Sequence, residues 1–291
     1  MLRPARRGAT LAELLVALTL AAIVLGTATS SVLHQRRSAS RLAHGVGADA
    51  QVRAALGSLA AELGALSAGV GDLVPGEASD TAIQLRSVVA AGLACADAVG
   101  SASFAPEWES FAAGAPAMAR EGDSLWWYGG EPAGWRGRRI VGVDSIIAPC
   151  PLVSLPAVAV RRAVVAEPDS VPYGALLRVT RPIRYAFYRG GDGSWQLGVR
   201  EWVAAAGRFA GPQPVAGPFL MRAGALRTGF RFFDASGGEL AAGGVGGVGG
   251  VAAERVARIR VTVIAAEGPG ARGGAVRPDS VDVALMPVRA P

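Results

Sequence analysis

Glu13 is the only ionisable side chain in the 25 residues from Ala9 to Leu33, ATLAELLVALTLAAIVLGTATSSVL. A carboxylate carried deep into lipid on a lone helix costs on the order of 2 to 3 kcal/mol, so it needs a cation or a polar surface. Two readings are open. Glu13 can rest at the membrane interface, stabilised by the positive end of its own helix dipole, or it can await a cation from another chain.

The other groups capable of chemistry are sparse. Cys95 and Cys150 are the only cysteines. In an exported domain two thiols commonly pair, and a bridge closing a loop of about 55 residues would be worth about 4 kcal/mol in the chain-entropy model; the alternative is two separate buried cysteines. His34 and His44 lie on the predicted helix near the membrane, without the cysteines or carboxylates of a zinc set. Nor is there a serine in a nucleophile elbow. No catalytic residue, metal site or cofactor is assigned, and the chain is expected not to be an enzyme. Gly244 to Gly249 spells G-x-G-x-x-G, but within Gly-Val repetition, which reads as a flexible loop over 243–250 rather than a phosphate cradle. Trp126-Trp127-Tyr128 and Trp135 read as strand residues with one of the adjacent tryptophans buried. Asp192 and Asp234 lack the dense acidic company of a calcium loop.

Charge narrows the partners. The 29 basic residues are all Arg and give a net +6, which falls to +3 once Arg3, Arg6 and Arg7 are subtracted. They are scattered rather than gathered on one stripe, which argues against nucleic acid as the main partner. No small-molecule substrate is indicated.

These residues need elements to place them. The apolar run would reach about 37 Å at 1.5 Å per residue, enough to span a bilayer core. Beyond it Val52, Leu56, Leu59, Leu63 and Leu66 keep a helical period, and Gly69, Gly71 and Pro75 signal a stop, which predicts one long helix over about 9–68. Past Pro75 short apolar runs separated by Gly, Pro and Asp predict strands near 82–89, 124–129, 139–147 and 157–165. A hairpin turns at Gly190 to Gly193 between strands at 184–188 and 195–203. A second pairing joins 228–233 to 256–264, where Arg258, Arg260 and Thr262 alternate with Ile259, Val261 and Val263. A long helix followed by antiparallel strands makes an α+β domain.

Gly8-Ala9-Thr10-Leu11-Ala12-Glu13-Leu14-Leu15-Val16-Ala17-Leu18 resembles the type IV prepilin and pseudopilin leader junction, which is a Gly, a cut, usually a Phe, then Thr-Leu-x-Glu-Leu-Leu-Val-Ala-Leu. The resemblance implies a leader over 1–8, a transmembrane helix over 9–33, its continuation outside the membrane over 34–68, and a β-rich domain over 75–291. It further implies cleavage between Gly8 and Ala9 by prepilin peptidase, N-methylation of Ala9, Glu13 as the assembly charge, and Thr10, Leu11 and Leu14 as motif positions. Ala9 departs from the usual Phe. The implied partners are the peptidase, the membrane and other pilin or pseudopilin subunits. The implied place is a bacterial inner membrane with the N-terminus cytoplasmic, then a filament. The length and the later strands resemble a larger minor pilin or a J-type minor pseudopilin. Arg3, Arg6 and Arg7 on one side of the span and Arg36, Arg37 and Arg41 on the other leave orientation resting on the leader. A twin-Arg signal at Arg6-Arg7 and a secretory cut near Ala28 fit less well. Two other functions stay open: an uncleaved membrane-anchored adhesion module, and a DNA-uptake minor pilin.

Overall fold

The computed structural model describes residues 35, 46–66, 71–74, 77–109, 111–112, 115–116, 118–129, 134–150, 155–241, 253–265 and 277–285. Residues 46–64 form helix α1. Val52, Leu56, Leu59 and Leu63 fall on one side of a 3.6-residue turn and are all buried, Leu59 and Leu63 completely. The helix stops short of the expected position near 68. After Gly64 the Leu66 N–H donates to Leu63 O at 3.2 Å, a tighter turn that carries the fully buried Leu66 into the core. No helix among the described residues is long and apolar enough to cross a membrane; the run from Ala9 to Leu33 lies outside them.

Eleven longer strands follow: β1 (Ala82–Ala94), β2 (Ser101–Glu109), β3 (Ser124–Tyr128), β4 (Trp135–Cys150), β5 (Leu155–Val165), β6 (Leu176–Arg189), β7 (Trp195–Val203), β8 (Gln213–Phe219), β9 (Gly229–Phe233), β10 (Arg258–Ala265) and β11 (Arg277–Ala284). All pair antiparallel. The expected strands are present, and β7 has the expected bounds. The hairpin between β6 and β7 closes as the glycines suggest, with Gly190 N–H donating to Ser194 O at 2.7 Å and Gly193 at φ +80°.

The pairing order makes two packing units that share strands. β1 pairs β2, β2 pairs β5, β5 pairs β4, β4 pairs β3, β3 pairs β6, and β6 returns to β1, so six strands close a small ring. Phe104, Leu125, Trp127, Ile140, Leu177 and Val179 belong to its core. The second unit is an open sheet that runs from β6 through β7 and β8 to β10, which β9 and β11 flank. Helix α1 packs into the core of this sheet, where Leu59 and Leu63 join Leu85, Tyr185, Phe230 and Val261.

β1 and β6 run through both units. On β6 the odd-numbered side chains Leu177 and Val179 serve the ring, and Ile183, Tyr185 and Phe187 serve the helix-covered core. β1 follows this change with a register shift between Val88 and Ala90, which moves its buried set from odd positions (Ile83, Leu85) to even ones (Ala90, Ala94). The edge of β6 opposite β1 pairs β3 over Leu177–Thr180 and β7 over Ile183–Arg189. Pro182, which has no N–H to give a ladder, falls in the gap between these two partners.

Candidate assembly site

Helix α1 is the longest described element on the leader side of the sheet, and its contacts set how that side of the chain is held to the domain. Leu59 and Leu63 put their side of α1 on the sheet, and Glu62, three residues after Leu59, shares that side. Ser87 of β1 donates its hydroxyl to Glu62 Oε2 at 2.7 Å. Burial raises the Glu62 carboxyl above its usual range, and the Ser87 hydrogen bond only partly offsets this. Beside it Tyr185, hydrogen-bonded to Ser58, is pushed up to about 12, first by burial and then by the Glu62 charge. The underside of α1 therefore carries a small polar cluster within an apolar contact.

A second fastening lies just past the helix. Asp72 is fully buried, and Arg178 of β6 grips its carboxylate with two hydrogen bonds of 2.8 Å. Arg86 of β1 donates its backbone N–H to Asp72 O at 2.7 Å and its guanidinium to Gly71 O. Trp126 packs beside both cations, with its ring centroid 5.3 Å from the Arg86 guanidinium carbon and 5.9 Å from that of Arg178. Gly137 on β4 makes room for that ring, since a Cβ there would sit 2.6 Å from it. At the boundary of the two cores Arg181 donates to both oxygens of buried Asp123 at 2.9 Å, and to Met118 O.

The residues singled out in sequence fall unevenly. Gly8, Ala9, Thr10, Leu11, Glu13 and Leu14 lie outside the described residues, as do His34, His44 and the Gly-rich loop. Cys95, just after β1, is joined to Cys150 at the end of β4. Of the adjacent tryptophans, Trp127 is buried in the ring and Trp126 is half-buried outside it. Asp192 and Asp234 hold their own turns. Asp192 Oδ1 accepts from Ser194 N–H and Oγ, and Asp234 Oδ1 from Ser236 and Gly238, which keeps both carboxyls below the usual range. Among the described residues no group of three His, Cys, Asp or Glu could hold a metal.

The sequence reading missed Glu62, Asp72, Asp123, Arg178 and Arg181. Only Glu62 left a signal, as a charge on the apolar side of a periodic helix.

The model of the prokaryotic N-terminal methylation motif matches residues 3–29. Comparison with curated proteins and with solved structures found no match. The matched segment holds Gly8, Ala9 and Glu13 and covers under a tenth of the chain. It supports a type IV pilin-like chain, a substrate of prepilin peptidase anchored in the membrane by its N-terminus. The domain behind it is mostly antiparallel sheet with α1 packed on it.

Proposed function

We propose that this chain is a minor structural subunit of a type IV pilus or a type II secretion pseudopilus, not an enzyme. In this reading prepilin peptidase cuts after Gly8, the new Ala9 amine is methylated, and the protein waits in the inner membrane with its domain outside. The helix over 9–33 then leaves the bilayer for the filament, where Glu13 of one subunit pairs with the Ala9 amine of a neighbour. The observation that carries the reading is the motif over 3–29, with its Gly, cut position and acidic residue at fixed offsets. The fold adds a means of transmission: α1 is fastened to the sheet by Leu59, Leu63 and Glu62, so displacing the N-terminal helix would carry the domain with it.

The test is the intact mass and N-terminal residue of protein purified from membranes of a host with prepilin peptidase, beside a Gly8→Ala variant. The expected product begins at Ala9, with or without a methyl group, and is absent in the variant. A chain starting at Met1 would leave an uncleaved anchor, and one starting beyond Ala28 a secreted domain; either overturns the proposal.

A further inference from the structure

A cavity of about 570 Å³ opens over the start of β9, with Thr262 of β10 in its lining. That volume lies within the range of small-ligand pockets. One wall is the turn at Asp80 and Thr81. Another is the short ribbon in which Arg222–Ala223 pairs Leu226–Arg227. Gly229 lets the first wall approach: Phe230 N–H donates to Asp80 O at 2.8 Å, and a Cβ on Gly229 would lie 2.2 Å from that oxygen. Asp80 is therefore held against the floor by its backbone.

The polar groups of the cavity divide into used and unused. Thr228 is used, donating to Leu220 O at 2.6 Å and accepting from Ile264 N–H at 3.1 Å. Arg231 is used, donating from Nε and Nη2 to the two carboxylate oxygens of Glu239. Asp80 differs: among the described residues its carboxylate takes no hydrogen bond and meets no cation, and Oδ1 is shielded from solvent. Arg222 and Arg227, both exposed, likewise have no carboxylate partner among the described residues. Asp80 thus brings to the cavity a carboxylate that no donor of the chain satisfies among the described residues, and a cationic donor carried by a ligand would supply the missing partner. Two free guanidinium groups in the same lining suit a carboxylate.

We infer that this cavity binds a small dipolar molecule, an amino acid or short peptide, whose ammonium meets Asp80 and whose carboxylate meets Arg222 and Arg227. The site does not depend on the leader or on filament assembly, so its test stands apart from that of the proposed function. The measurement is equilibrium dialysis of the full chain in detergent micelles against radiolabelled glycine and, separately, radiolabelled glycylglycine. Saturable binding at one site is expected for at least one of them, and which one separates an amino acid from a peptide. N-acetylglycine, which lacks the ammonium, and glycinamide, which lacks the carboxylate, should compete at least about tenfold less well, the equivalent of one lost charged contact. The exposed pair Arg222→Gln/Arg227→Gln, which leaves the core intact, should weaken binding by about tenfold or more, as should Asp80→Asn. No saturable binding of either probe, equal competition by N-acetylglycine, or unchanged affinity in the arginine variant would overturn the inference.

Discussion

Glu62 holds a carboxylate under a helix where neighbouring positions hold leucine, and its raised proton affinity makes the helix contact pH-sensitive. The folded state binds this proton more tightly than the unfolded chain, so the contribution is fully present below the ordinary carboxyl range and is lost as pH rises through the folded value. Glu62→Gln removes that loss: unfolding curves of wild type and variant should converge at acid pH and separate above it, with the variant the more stable at neutral pH. A constant difference across pH would show that Glu62 does not titrate in the contact. Asp72 and Arg178 behave differently, because their pairing is internal and bidentate. Removing either partner strands the other, and Asp72→Ala or Arg178→Ala should each cost about 3–5 kcal/mol in denaturant unfolding, while Asp72→Leu with Arg178→Met should cost much less. At this scale the sequence is legible only where partners are close in the chain. Gly8, Ala9 and Glu13 can be read from their spacing, whereas Asp72 and Arg178 lie 106 residues apart and nothing local marks them as a pair.

Among the elements, α1 was readable because its leucines repeat with the helical period over several turns. β7 and β10 were readable because their burial alternates or their bounding turns are rich in glycine. β6 was seen only from residue 184, since Pro182 looks like a strand breaker; the fold tolerates it where the strand changes neighbours. β8 carries two prolines and a glycine in seven residues, and β11 sets Pro and Asp against Val, so neither shows the composition of a strand. The Cys95–Cys150 bond ties the end of β1 to the end of β4 across 55 residues of chain. Replacing both cysteines by serine should lower stability by about 4 kcal/mol, measured by chemical unfolding with and without reductant; reductant should then affect the wild type alone.

For the molecule as a whole, the chief consequence of the topology is that two hydrophobic cores share β1 and β6. Neither can lose those strands without exposing the other, so the domain should unfold in one cooperative step. Leu125→Ala, a truncation inside the ring, should cost about 2–5 kcal/mol and shift tryptophan fluorescence and far-ultraviolet dichroism to the same new midpoint. Separate midpoints for the two probes would show that ring and helix-covered sheet unfold independently. By itself the sequence determined the leader motif, the apolar run with its single carboxylate, the periodic α1 and the presence of an antiparallel β-rich domain. Each of these is written in spacings of a few residues, the range over which side-chain period and backbone preference act. Tertiary structure alone decided that the strands close a ring beside the open sheet, that buried Arg–Asp pairs stand where the two cores meet, and that Asp80, Arg222 and Arg227 line one cavity. These depend on contacts between segments far apart in the chain, where burial and the pairing of charge select partners that no local pattern names.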